Sequence, residues 1–166
     1  LGQLQNLGLG GNSIVDVRPL GSLRQLKELD LSRNNIMEVG PLAKLGRLQK
    51  LDLDENQIVD VKMLASLLQL QRLNLGLNKI VDVSPLASLG QLQKLDLRNN
   101  NIVAVEPLAS LGQLQTLNLA FNRIVDVESL TSLGQLQELD LLGTKIVDSH
   151  PSVQELKKSG VKVIIF

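Results

Sequence analysis

Apolar and polar positions along this chain alternate in a pattern that returns every 22 residues. Leu4, Leu26, Leu48, Leu70, Leu92, Leu114 and Leu136 form one column. A second runs from Leu7 through Leu29, Leu51, Leu73, Leu95 and Leu117 to Leu139, and a third from Leu9 through Leu31, Leu53, Leu75, Leu97 and Leu119 to Leu141. Three residues later comes Asn12, Asn34, Asn56, Asn78, Asn100 or Asn122, with Thr144 closing the column, and two residues after that an isoleucine, from Ile14 to Ile146. The unit reads LxxLxLxxNxIVDVxPLASLGQ and occurs seven times. A period of this length marks a stacked repeat architecture.

Each column predicts a local structure. In "LDL" two inward leucines flank an outward residue, the period of two of a strand. A strand this short, with its successor 22 residues on, predicts parallel stacking at about 4.8 Å. Eight such strands span about 34 Å. The asparagine falls where the chain turns inward, and its amide can bond backbone groups left unpaired there, so a stack of them predicts an internal ladder. In "DVxPL" an aspartate can cap backbone N–H groups and a proline pre-sets a turn. "PLASL" is too short for a stable α-helix and predicts a 3₁₀ or irregular turn on the outer side. A single repeat cannot bury its leucines; stacked repeats share one core.

These columns resemble the 22-residue class of leucine-rich repeat protein, which includes regulatory subunits of type-1 protein phosphatase and the bacterial internalins. The resemblance covers residues 1–148. It implies an α/β-type repeat solenoid, right-handed and curved, with its parallel sheet on the concave side, short 3₁₀ or irregular segments on the convex side, and partners docking on the concave face. Residues 149–166 are expected to close the array: "PSVQELKKSG" reads as a short helix ended by Gly160, and "VKVIIF" as an eighth strand with Val161 and Val163 in the two inward leucine columns. Leu1 aligns with Leu23, Leu45 and Leu67, the tail of a preceding repeat, and no amphipathic cap comes before it. The first strand is therefore expected to offer an open edge for fraying or self-association.

Composition narrows the function. Only Phe121 and Phe166 are aromatic, so leucine, isoleucine and valine fill the interior. Seventeen basic and seventeen acidic residues cancel, leaving no global field for nucleic acid or anionic membrane. With no cysteine there is no disulfide framework or thiolate metal site, and no apolar run approaches the roughly 20 residues that span a bilayer. No secretory leader opens the sequence, which favours the cytoplasm. His150, the one histidine, sits in "DSHPS" and reads as a surface turn residue. "GLGGN" at 8–12 fits no phosphate-binding pattern. Asp30, Asp52, Asp96 and Asp140 point outward from mid-strand and read as residues that keep the sheet soluble rather than as cation ligands; Asp16, Asp60, Asp82, Asp126 and Asp148 read as turn caps. No catalytic constellation, cofactor motif or metal set is present, so the expectation is a non-enzyme.

The outer columns are nearly invariant from repeat to repeat, as in Ser66, Ser88, Ser110 and Ser132. Columns on the expected concave side are not: Asn6, Glu28, Lys50, Arg72, Lys94, Thr116, Glu138; then Gly10, Ser32, Asp54, Gly76, Arg98, Ala120, Leu142; then Gly11, Arg33, Glu55, Leu77, Asn99, Phe121, Gly143. Diversity confined largely to one face points to recognition there. The expected partner-binding residues are Arg72, Leu77, Lys94, Asp96, Arg98, Asn99, Ala120, Phe121, Glu138 and Leu142, with Leu77, Ala120, Phe121 and Leu142 as exposed apolar anchors between basic neighbours. The expectation is a protein–protein interaction module for a protein or peptide ligand. The alternative is a structural or engineered consensus-like scaffold with no intrinsic ligand.

Overall fold

The computed structural model describes residues 2–165; Leu1, assigned above to a leucine column, and Phe166 lie outside the described residues. Eight three-residue strands form one parallel sheet in sequence order: β1 Asn6–Gly8, β2 Glu28–Asp30, β3 Lys50–Asp52, β4 Arg72–Asn74, β5 Lys94–Asp96, β6 Thr116–Asn118, β7 Glu138–Asp140 and β8 Lys162–Ile164. Register follows the repeat, so Leu29 pairs with Leu51 and Leu73 with Leu95. Six 3₁₀ segments of five residues lie between consecutive strands from β1 to β7, at Arg18–Ser22, Gly40–Lys44, Lys62–Ser66, Ser84–Ser88, Glu106–Ser110 and Glu128–Ser132. This is the curved repeat solenoid that the sequence predicts.

The leucines, isoleucines and "DV" valines make one continuous core, and those of the central repeats are almost fully excluded from solvent. At the start of the chain Leu4, Leu7, Leu9 and Ile14 are only partly buried. At the other end α1, Pro151–Lys158, buries Val153 and Leu156 against the array. Gly160 follows at φ 93, the left-handed conformation that ends helices.

One strand assignment is corrected. Val163, not Val161, pairs with Leu139, and Lys162 pairs with Glu138. The last unit therefore advances 24 residues instead of 22, because an eight-residue α-helix replaces the five-residue 3₁₀ segment. Val161 is nevertheless buried, while Val163 is only partly so.

The asparagine ladder forms as expected, and its wiring explains the column. Asn78 donates its amide to the carbonyls of Leu75 (3.1 Å), Gly76 (2.9 Å) and, one repeat back, Leu53 (3.0 Å). Its Oδ1 accepts the Ile58 N–H at 3.0 Å. Asn34, Asn56, Asn100 and Asn122 repeat this set of bonds. A side chain must both donate and accept to do this, and the length must be that of asparagine. Thr144 keeps only a bond to Leu141 O, at 2.7 Å, and one from the Ile146 N–H, at 3.3 Å.

Asp16, Asp60, Asp82 and Asp126 each accept the N–H two residues on, at the first residue of the following 3₁₀ segment. The Asp82 carboxyl is held below the ordinary carboxylate range by the backbone N–H and hydroxyl of Ser84. Asp148 departs from the reading as a cap: its carboxylate pairs with Lys157 of α1, since no 3₁₀ segment follows it. His150 occupies the N-cap position of α1, partly buried, with Nδ1 lacking a hydrogen-bond partner among the described residues.

The candidate interaction face

Four rows of side chains run across the sheet, each contributed once per repeat. Row one, at the start of each strand, is Asn6, Glu28, Lys50, Arg72, Lys94, Thr116, Glu138 and Lys162. Row two, at the strand ends, is Gly8, Asp30, Asp52, Asn74, Asp96, Asn118 and Asp140. Between them the central leucines form a floor. Together they line a groove of 670 Å³ across β1 to β6. Of the ten residues expected to bind a partner, Arg72, Lys94 and Asp96 line this groove; the other seven lie beyond its edge.

Row two has a structural task that a reading for solubility misses. Oδ1 of Asp30, Asp52, Asn74, Asp96, Asn118 and Asp140 accepts the N–H two residues on, at 2.9 to 3.1 Å. Each closes an Asx turn at the strand exit. This is why Asp and Asn interchange there and other polar residues do not occur: both present a carbonyl-type oxygen at the same reach. The signal was legible in that restricted choice.

Row three, two residues further, is where side chains mesh. Arg98 reaches across the neighbouring repeat to Asp54, two repeats away, with Nη2 at 2.8 and 3.0 Å from the carboxylate oxygens, and its Nη1 also pairs with Asp96. The path exists because residue 76 is glycine: a Cβ there would stand 2.5 Å from Asp54 Oδ1 and 3.1 Å from Arg98 Cγ. The pair is electrostatically unequal. Arg98 gains from both Asp96 and Asp54, and despite its burial it holds its proton more firmly than usual. Burial pushes the Asp54 carboxyl up; Arg98 opposes this, but Asp52, Asp96 and Glu55 add to it.

In row four, Arg33, Glu55, Leu77, Asn99 and Phe121 all have φ between 51 and 55°, with Gly11 and Gly143 at 70 and 69°. The chain takes a left-handed step here in every repeat, although an L side chain pays for it. Arg33 and Glu55 pair at 3.1 Å. The Phe121 ring lies over Gly143, where a Cβ would stand 2.5 Å from its Cδ1. Phe121 is 51% exposed and Leu77 40%, while Leu142 is half-buried. Ala120 is not an exposed anchor: it is 3% exposed, because a side chain this short lies below its larger neighbours in row three. Arg98 is likewise committed within the molecule.

Sequence reasoning also passed over a flank. Val15, Met37, Val59, Val81, Val103, Val125 and Val147 stand 47 to 59% exposed, one per repeat, just after the buried isoleucine. Two adjacent apolar residues in extended chain cannot both face inward, so "IV" itself carried the signal. No group of three or more Asp, Glu or His among the described residues is arranged to hold a metal ion.

A solenoid with a parallel inner sheet, an asparagine ladder and 3₁₀ outer turns defines a leucine-rich repeat domain. The chain belongs to the leucine-rich repeat family. Family models described as "Leucine Rich repeats (2 copies)" match residues 46–88, 69–110 and 90–132, and one described as "Leucine rich repeat" matches residues 2–58. Among solved structures it is similar to internalin C2 of Listeria monocytogenes, with 31% identity and TM-score 0.76 over 97% of this chain and 80% of that one. It is also similar to an internalin, inlF, of the same organism, with 25% identity and TM-score 0.75 over 98% of this chain and 54% of that one. Comparison with curated proteins gives no match. Leucine-rich repeat domains are typically non-enzymatic protein–protein interaction modules.

Proposed function

We propose that this chain binds a protein or peptide through the groove across β1 to β6 and performs no chemistry of its own. One observation carries this reading: a constant leucine floor is flanked by row one, whose residues change from repeat to repeat and, apart from the Glu28–Lys50 and Glu138–Lys162 pairs, make no ion pair with one another among the described residues. The backbone beneath is held by parallel pairing, so little ordering opposes association. Rows three and four are weaker support, because much of their diversity is self-complementary: Arg98 needs Gly76 and Phe121 needs Gly143. That same meshing favours the second reading, a scaffold without a ligand, for those two rows.

The test is a partner recovered by cross-linking from the source cell and titrated against purified variants. Thr116→Arg, which fills the groove, is expected to weaken binding by at least tenfold, and Phe121→Ala at the groove margin by less. Val81→Ser with Val103→Ser should leave it unchanged. Loss of binding with the valine variants, and its survival with Thr116→Arg, would move the interface to the flank and end this reading.

A further inference from the structure

Among the charged residues of row one, four form two ion pairs and two cations are left over. Lys50 pairs with Glu28 at 2.6 Å, and Lys162 with Glu138 at 3.1 Å. Arg72 and Lys94, in register on β4 and β5, make no ion pair among the described residues. Both are exposed, both line the groove, and Lys50 stands in register on the far side of Arg72. Like charges directly opposed on paired strands destabilise a sheet. This arrangement therefore costs the free protein stability in the middle of its groove.

We propose that Arg72 and Lys94 receive two carboxylates from one face of a partner's α-helix lying across the strands, an assignment that rests on the groove reading above. The spacing selects the helix. In-register residues on adjacent strands are about 4.8 Å apart, close to the roughly 5–6 Å between i and i+4 positions of a helix. Alternate residues of an extended peptide, at about 6.6–6.8 Å, fit less well. The charge pattern selects a protein over a uniform polyanion. Two residues along their own strands stand the neutral Asn74 and the acidic Asp96, and Asp52 and Asp30 continue that row on β3 and β2; its carboxylates repel a polyphosphate lying in the groove and attract basic residues on the helix's other edge. The complementary ligand thus segregates acid on one edge and base on the other.

The probe is a displayed library of helical 20-residue peptides randomised on one face, selected against the intact chain. Groove binders, defined by loss of binding to the Thr116→Arg variant, are expected to carry Glu or Asp at i and i+4. They should lose at least tenfold affinity against Arg72→Glu/Lys94→Glu, and selection against that variant should favour Lys or Arg at the same positions. The neutral variant Arg72→Gln/Lys94→Gln should melt at or above the parent temperature, since it removes the opposed cations without opposing two anions. Groove binders without acidic enrichment, or indifferent to the charge reversal, would overturn this assignment and leave the groove reading standing. An oligothymidylate binding as tightly as the selected peptides would overturn it in favour of a general polyanion site. Recovery only of binders that ignore Thr116→Arg would overturn both.

Discussion

The asparagine ladder and the left-handed row beside it are one residue apart in the chain, yet they are constrained in opposite ways. Asn78 is buried and makes four hydrogen bonds; Leu77, its neighbour, is 40% exposed and has φ 51°. At the first position the side chain does the structural work, so its identity hardly varies. At the second the backbone does it, so Arg, Glu, Leu, Asn, Phe and Gly all occur. Variability next to an invariant column is thus no proof of a binding surface. It also arises where structure constrains only φ and ψ, or where neighbours compensate one another.

The comparison breaks hardest at the ladder. Asn78→Ala leaves the Ile58 N–H and several carbonyls unpaired in the core, and a loss of about 3 kcal/mol or more is expected from denaturant unfolding. The exposed Asn12, which among the described residues bonds only the Leu9 and Gly10 carbonyls of its own repeat, should cost under about 1 kcal/mol when changed to Ala. Equal costs at both sites would mean that burial and cross-repeat bonding do not set the ladder's value.

In row three, Gly76→Ala drives a methyl group between Asp54 and Arg98 and should cost about 1–2 kcal/mol. Arg98→Ala alone should cost about 1 kcal/mol, kept small because the pair is partly exposed. Added to Gly76→Ala it should cost much less, and full additivity in a double-mutant cycle would deny that the glycine serves the ion pair.

Leu77→Asn has the opposite sign. Asparagine tolerates the left-handed conformation better than leucine, so a gain of a few tenths to about 1 kcal/mol is expected in thermal unfolding. Destabilisation there would show that the Leu77 side chain packs more than its exposure indicates.

The smallest effect is in pH. The folded chain holds the Asp54 proton more readily than the unfolded chain does, chiefly through burial. Stability attributable to this group therefore falls as pH rises from the unfolded to the folded value, and is level above both. Asp54→Asn should remove that local slope when the two stability curves are subtracted. Asp82 works in the other direction: its depressed value gives stability that is present above the ordinary carboxylate value and lost as pH falls through the folded one.

The sequence by itself determined the repeat length, the parallel strands, the 3₁₀ outer turns, the asparagine ladder and the closing helix. Each of these rests on chemistry repeated at a constant step, and repetition makes a contact between repeats visible as a column. Only the tertiary structure decided which variable residues are engaged within the molecule and which are left to solvent. Arg98 looks free until Asp54, 44 residues away, is brought beside it over Gly76. Ala120 looks exposed until the neighbouring rows are in place. The two-residue slip at β8 likewise depended on how an α-helix, rather than a 3₁₀ turn, returns the chain to the sheet. These are contacts between residues that differ from repeat to repeat, so no period records them. They follow from which side chains are long enough to cross a strand spacing, and from which neighbours are small enough to let them pass.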